Sequence, residues 1–135
     1  MADWNQQIID EFRANDGTVE TMGFGRGLVL LHHTGARTGT QRVTPLAAVP
    51  TDEGWLVAAS KAGAPDNPDW FHNLRAHPDT TVESPDDGEV AVRARVLEGA
   101  DRDAGYARFE EMSDGFREYQ RKTDRVIPVV ALDRR

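Results

Sequence analysis

GLVLLHHTGARTGTQRVTPLAAVPTDEGWLVAAS, residues 27–60, holds three apolar segments separated by short polar links. GLVLLHH (27–33) is continuously apolar, as a strand covered on both faces must be. RVTPLAAVP (42–50) reads as a second strand. Pro45 inside it has no N–H to give to a ladder, which predicts an edge or a bulge at that point. PTDEGW is a hairpin-type link, and WLVAAS (55–60) is the third strand. Links this short cannot hold the crossover that parallel neighbours need, so the three form an antiparallel meander.

Working outward, KAGAPDNP (61–68) is a loop by composition. NPDWFHNLRAHP predicts a short helix with Asn67 as N-cap, Pro68 at its first position and Pro78 beyond its end. Trp70, Leu74 and His77 are spaced for one face of it. TTVES and EVAVRARVLEG read as strands joined at SPDDG. In the second, Val90, Val92, Ala94 and Val96 form a dry face alternating with Ala91, Arg93, Arg95 and Leu97. A helix follows over 101–112, with Tyr106, Phe109 and Met112 on one face. Gly115 interrupts it, FREYQRK forms a further short helix, and VIPVVALD is the last strand, Pro128 again implying an edge or bulge. At the other end, DWNQQIIDEFRAN is amphipathic: Trp4, Ile8, Ile9 and Phe12 make a stripe, Asp3 is the N-cap, and Gly17 lies past the end. That stripe predicts packing on the domain, with peripheral contact to a membrane surface as the alternative. Its polar face lacks the Lys and Arg that a membrane-lying helix wants. The order α-βββ-α-ββ-α-β in 135 residues predicts one domain, a small antiparallel barrel with peripheral helices: the N-terminal helix in 1–17 and the barrel with its inserted helices in 26–135.

The chain has no Cys, which excludes a disulfide framework, a thiol nucleophile and a Cys-ligated metal, and a reducing cytoplasm is the expected home. No apolar run approaches the roughly 20 residues that cross a bilayer, and MADWNQQIID lacks the features of a secretory signal. A net charge of −7 argues against nucleic acid, whose binding needs phosphate-neutralising cations. The charge is uneven, however. From Thr21 to Pro65 there are four cations, Arg26, Arg37, Arg42 and Lys61, against Asp52 and Glu53, a local +2 that leaves −9 elsewhere. A small positive site on an acidic body suits a small anionic ligand.

HHTGARTGTQRVTP (32–45) is the centre of that site. Gly35 and Gly39 allow tight turning and close approach. Thr34, Thr38 and Thr40 offer hydroxyls, and Arg37 and Arg42 offer planar forks for phosphate or carboxylate. Free N–H groups in such a loop would make an anion nest. The alternative is an ordinary hairpin loop with solvated arginines; the absence of acids favours the anion site. It is neither a P-loop nor a dinucleotide fingerprint. In AASKAGAPDNPDWFHN (58–73), Ser60 and Lys61 stand where a strand runs into a loop, the usual station of functional groups. Trp70 supplies a flat surface, with most of its ring expected in the core. His32, His33, His72 and His77 are not spaced as a zinc site, so no metal is expected.

TGARTGTQRVTPL followed by VAASKAGAPDNPDWFHNLRAHP, with IIDEFRANDG before and YQRKTDRVIPVVAL after, resembles the deazaflavin-dependent nitroreductase family. These actinobacterial reductases use coenzyme F420 and include the F420H2-dependent quinone reductases. The resemblance implies a mainly β, α+β fold, a six-stranded antiparallel split β-barrel related to the FMN-binding oxidases, with the cofactor in a groove beside the barrel. It implies that Arg37, Thr38 and Gly39, in the loop Ala36–Thr40, and Arg42 hold the coenzyme's phosphate and glutamyl tail. Ala58, Ala59, Ser60 and Lys61 would lie along the deazaflavin ring, and Trp70 and Asn73 would shape the groove. Thr44, Pro45, Leu46 and Gly63 complete the implied cofactor-binding set.

The implied reaction is hydride transfer from reduced F420 to a quinone or other electron-poor aromatic or enone acceptor. Two catalytic roles are expected: Ser60 as hydrogen-bond donor to the acceptor oxygen or the ring, and Tyr119, or water, as proton donor. Alternatives are an FMN-dependent oxidoreductase of the same barrel type and a non-catalytic F420-binding carrier. Where members often have threonines this chain has His32 and His33. A histidine at a strand end reads as a satisfied polar residue, with His33 a further candidate for contact with the anions. The stretch GFREYQRKTD offers Phe116 and Tyr119 where nitroreductase-type members carry several tyrosines, which favours quinones over bulky nitroimidazoles. The resemblance further implies a monomer rather than a homodimer.

Overall fold

Successive residues of a strand face opposite ways, and here both ways lead to apolar partners. The computed structural model describes residues 4–135, the side chain of Ala62 apart; Asp3, the expected N-cap, lies outside them. The first strand, β1 (Leu28–Thr34), sends Val29 and Leu31 into one cluster and Leu28 and Leu30 into another. The first cluster fills the barrel. It draws on β2 (Gln41–Pro50), β3 (Gly54–Ala58), β4 (Asp79–Ser84), β5 (Gly88–Val96) and β6 (Val129–Arg134) through Ala48, Val57, Val82, Val92, Val130 and Leu132. Helix α2 (Asp69–Ala76) adds Trp70, Phe71 and Leu74 to it. All strand pairings are antiparallel, and the barrel closes in the order β1-β2-β3-β6-β5-β4.

Two outer clusters explain the remaining helices. Ile8, Ile9 and Phe12 of α1 (Trp4–Ala14) bury against Leu28, Leu30 and Val19. Tyr106 and Phe109 of α3 (Gly99–Met112) bury against Leu56, Val129 and Ala131, and Phe116 and Tyr119 of α4 (Asp114–Lys122) pack against that cluster. Each fully buried Leu, Val or Phe stabilises the fold by about 1.5–3 kcal/mol over its exposed state. Strands β1, β3 and β6 therefore read as continuously apolar because helices cover their outer face. β5 alternates because its outer face, with Arg93 and Arg95, meets water.

Several expectations need correction. Trp4 is 52% exposed, so the α1 stripe is Ile8, Ile9 and Phe12 alone. With those three buried, that face of α1 is occupied by the barrel and not turned toward a membrane; no helix among the described residues is long and apolar enough to cross one. Pro68 is the N-cap of α2, its extended ψ of 155° being what a cap requires, and Asn67 lies one residue outside. His77 follows the helix and is exposed. Val96 ends β5 beside an open hollow under Phe71 and Leu74, and Met112 ends α3 at the mouth of the groove, so both stay exposed. The break between α3 and α4 falls at Ser113, whose hydroxyl accepts from the Gly115 N–H as an N-cap. Of the two prolines, Pro45 behaves as expected and Pro128 stands outside its strand, not at an edge or bulge within it. Pro128 precedes β6, and Pro45 lies on a stretch of β2 with only β1 beside it.

Candidate active site

β2 pairs with β3 only at Ala48–Pro50. Gln41–Ala47 consequently has β1 on one side and a groove of about 1020 Å³ on the other. Arg42, Val43, Thr44, Leu46 and Ala47 form the β2 wall. Ala58, Ser60 and Lys61 reach it from the end of β3, Asp69 and Trp70 from α2, and Phe116 and Tyr119 from α4. Ile9, Met22 and Phe24 close the N-terminal side. A second hollow of about 560 Å³, against Gly35, Ala36, Arg37, Thr38 and Asn73, shares Arg42 and Asp69 with the first. The two adjoin at these residues, and together they are the trough.

Of the residues expected to hold a cofactor, Arg42, Thr44, Leu46, Ala58, Ser60, Lys61 and Trp70 line the groove, as does Tyr119. Arg37, Thr38 and Asn73 line the hollow. Four stand apart from both. Pro45 is half-buried and lines neither. Ala59 is fully buried in the barrel core and its N–H donates to the Pro128 carbonyl. Gly39 sits in the exposed loop at φ +71°, where its role is the turn itself. Gly63 is buried against α4. Trp70 is 6% exposed and packs chiefly in the core, as its ring size suggested.

Four of the loop's backbone N–H groups are spent inside the fold, and those of Arg37 and Thr38 have no partner among the described residues. Gly35 N–H donates to the Thr40 carbonyl, Gly39 N–H to the Gly35 carbonyl, Thr40 N–H to the Thr38 hydroxyl, and Ala36 N–H to Asn73 Oδ1. Gly35 is buried, so its N–H in particular must be satisfied inside the fold. Full positive charge in the trough comes from side chains. Every other arginine of the chain has a carboxylate, a carbonyl or a ring as partner. Arg37, Arg42 and Lys61 have none among the described residues. Lys61 also holds φ at +44°, a left-handed conformation that costs an ordinary residue about 1–2 kcal/mol. Strain of this kind persists where the surroundings enforce it, and functional loops are its usual home.

His33, at the end of β1, is 3% exposed. Its Nδ1 is 2.9 Å from Asn73 Nδ2 and its Nε2 is 2.9 Å from Thr44 Oγ1. Burial, and then the nearby Arg42 guanidinium, push the imidazole pKa down to about 4. Burial thus favours the neutral imidazole, and both ring nitrogens are engaged by Asn73 and Thr44 although His33 lines the groove. His32, Glu83 and Glu89 are the group nearest to a metal-binding set among the described residues. Its Glu83 is already held by Arg13 at 2.7 Å and His32 at 2.8 Å, and none of the three lines the trough.

Sequence reading missed two contributors. Arg125 donates to the carbonyls of Ala59, Ser60 and Ala64 and to Asn67 Oδ1, at 2.7–3.1 Å. One guanidinium thereby pins the whole segment that presents Ser60 and Lys61. Gln120 joins it, donating to the Arg125 carbonyl and accepting from the Ile127 N–H and Arg102. The second is TMGFGRG (21–27), whose positive-φ residues Met22, Gly23 and Gly25 turn Met22 and Phe24 onto the groove. Its three glycines were the available signal.

Comparison with known proteins agrees with this fold. The F420H2-dependent quinone reductase family matches residues 4–134. An F420H2-dependent quinone reductase of Mycobacterium tuberculosis (strain H37Rv) is 38% identical over 112 residues, covering 79% of this chain and 73% of that protein. The solved structure of an F420H2-dependent reductase is 36% identical, with a TM-score of 0.72 over 80% of this chain and 95% of that one. A domain-swapped dimer is 34% identical, with a TM-score of 0.75 over 94% of this chain and 96% of that one. That relative overturns the expectation of a monomer. Exchange of an element between copies reproduces in the pair the contacts made within one chain, so a dimer forms at little cost. The chain belongs to the family of F420H2-dependent quinone reductases.

Proposed function

We propose that residues 1–135 work as one reductase domain that carries hydride from reduced coenzyme F420 to a quinone. The observation that carries this reading is the set of unpaired cations, Arg37, Arg42 and Lys61, around the trough of a protein with net charge −7. A coenzyme bearing a phosphate and glutamate carboxylates fits such a donor set, since each guanidinium can grip an oxyanion with two N–H groups. Arg37, Thr38 and Arg42 would hold the anionic part, and Thr44, Leu46, Ala58, Ser60, Lys61 and the edge of Trp70 the ring. When bound, the reduced deazaflavin supplies the hydride. The residues bind, orient and exclude water. Ser60 offers its hydroxyl to the acceptor oxygen as negative charge develops there, and Tyr119 donates the proton that completes the hydroquinone. Ile9, Met22, Phe24 and Phe116 supply the apolar wall that an aromatic acceptor needs.

The test is a titration with F420 and with FMN, followed by F420H2 oxidation with menadione. Preference for F420 and turnover with menadione are expected. FMN binding without F420 binding would transfer the protein to the flavin class, and tight F420 binding without turnover across quinones would make it a carrier. Ser60→Ala and Tyr119→Phe are each expected to slow turnover; unchanged rates would remove those roles. We further infer that this chain forms a homodimer, on the strength of its 34% identical dimeric relative, to be checked by light scattering. The absence of cysteine suits a cytoplasmic home.

A further inference from the structure

Thr44 stands on the groove wall with its hydroxyl oxygen 2.9 Å from a ring nitrogen of a buried histidine. Which of them donates is decided two residues away. Ala36 N–H is a donor with no alternative polarity, so the Asn73 atom it meets at 2.9 Å is the carbonyl oxygen, Oδ1. The Asn73 NH2 then faces His33 Nδ1 at 2.9 Å and can only donate to it. Nδ1 is therefore the bare nitrogen, and Nε2 carries the proton and donates it to Thr44 Oγ1. A threonine hydroxyl that accepts in this way keeps its own hydrogen to give, and Thr44 has no other partner among the described residues.

We propose that Ala36, Asn73 and His33 form a polarity relay that fixes Thr44 as a hydrogen-bond donor to the groove, so that this position takes an acceptor oxygen of a bound ligand. The neutral state that the relay needs is the one burial enforces on His33. Asn73 and His33 act in this relay as positioning residues, because its effect on the ligand is delivered by the Thr44 hydroxyl. The identity of the ligands rests on the function proposed above; the direction of the relay does not. The oxygen has two possible sources with the same chemistry, the coenzyme and the quinone carbonyl.

The test reads the relay first in the free protein, by two-bond ¹H–¹⁵N correlation of the His33 ring. Wild type is expected as the Nε2–H tautomer. Asn73→Asp still accepts from Ala36 but cannot donate, so its His33 is expected to switch to the Nδ1–H tautomer and turn the Thr44 hydrogen inward. Binding is then measured with F420, and menadione KM at saturating F420H2. Thr44→Val is expected to weaken one of the two by about five- to tenfold, the worth of one hydrogen bond, with Thr44→Ser restoring it. Loss in F420 affinity assigns the oxygen to the coenzyme, and loss confined to menadione KM assigns it to the acceptor. Asn73→Asp is expected to cost less in the Thr44→Val background than alone, because only its added charge then acts. An Nδ1–H tautomer in wild type, no effect of Thr44→Val on either constant, or an equal cost of Asn73→Asp in both backgrounds would overturn the proposal. Should Asn73→Asp fail to fold, the wild-type tautomer and the Thr44→Val and Thr44→Ser pair decide it. Wild-type protein that ignores F420 overturns the coenzyme reading alone, because the tautomer is read without ligand.

Discussion

A Cβ on Gly63 would lie 2.8 Å from the carbonyl oxygen of Tyr119. The turn that presents Lys61 and the helix that presents Tyr119 are therefore in contact at a point where only hydrogen fits. Lys122 Cβ is 3.0 Å away on the same side, and Gly63 holds φ at +79°. The two faces of the groove that carry a cation and a phenol are thus spaced by a glycine that touches no part of the groove itself.

Gly63→Ala is accordingly expected to cost about 2–4 kcal/mol, from the left-handed backbone and the overpacking together. It should also raise the KM for menadione by moving Tyr119. Thermal unfolding and steady-state kinetics read the two effects, and an unchanged Tm would show that α4 yields freely.

Arg125→Met removes four hydrogen bonds at once from Ala59, Ser60, Ala64 and Asn67. Leaving half-buried carbonyls unsatisfied costs about 1–3 kcal/mol each where water cannot replace the donor, so a loss of about 3 kcal/mol in total is a conservative expectation. Arg125→Lys should rescue little, because an ammonium cannot span four acceptors with a planar fork. Urea denaturation of both variants decides it; full rescue by Lys would mean that charge alone matters.

Neutralising Arg37, Arg42 and Lys61 together, as glutamines, removes charges that have no partner among the described residues. Stability should hold or rise slightly, since mutual repulsion is relieved. F420 affinity should fall by at least about a hundredfold, since each hydrogen bond from a charged donor contributes about 1.5–3 kcal/mol. In wild type, affinity should also weaken with added salt, and that dependence should flatten in the triple variant. Fluorescence titration at several ionic strengths measures both, and unaltered affinity would end the electrostatic account of the trough.

His33 titrates near 4 in the fold against 6.5 for a free side chain. Above about pH 6.5 the residue is neutral in both states and its contribution to stability is complete. As pH falls from there toward 4 the unfolded chain takes up a proton that the fold refuses, so stability declines, levelling off below the folded value. The whole swing is at most about 3 kcal/mol. An NMR titration of His33 beside urea midpoints at pH 7 and pH 5 checks the sign; a ring that titrates near 6.5 in the folded protein would contradict it.

Local pattern and composition carried most of the architecture. The continuous runs of β1 and β3, their short links, the proline in each of β2 and the approach to β6, and the alternation in β5 all answer to strand periodicity and the missing N–H of proline. The cationic, acid-free strip was legible because charge needs no coordinates to be counted. What the pattern could not reveal was which polar groups would be spent on one another. Four N–H groups of the glycine loop turned inward to close it, His33 lost its charge to burial, and Arg125, 58–66 residues from the carbonyls and amide it holds, became the clamp on the Ser60–Lys61 segment.

By itself, then, the sequence determined the antiparallel barrel, the peripheral helices and the sign of the ligand, because periodicity and net charge are properties of the chain. Only tertiary structure decided that three cations stay unpaired among the described residues, that β2 leaves an open edge toward α4, and that Thr44 faces the groove as a donor. Each of these depends on which distant group arrives within about 3 Å, and hydrogen-bond partners at that range are chosen by packing.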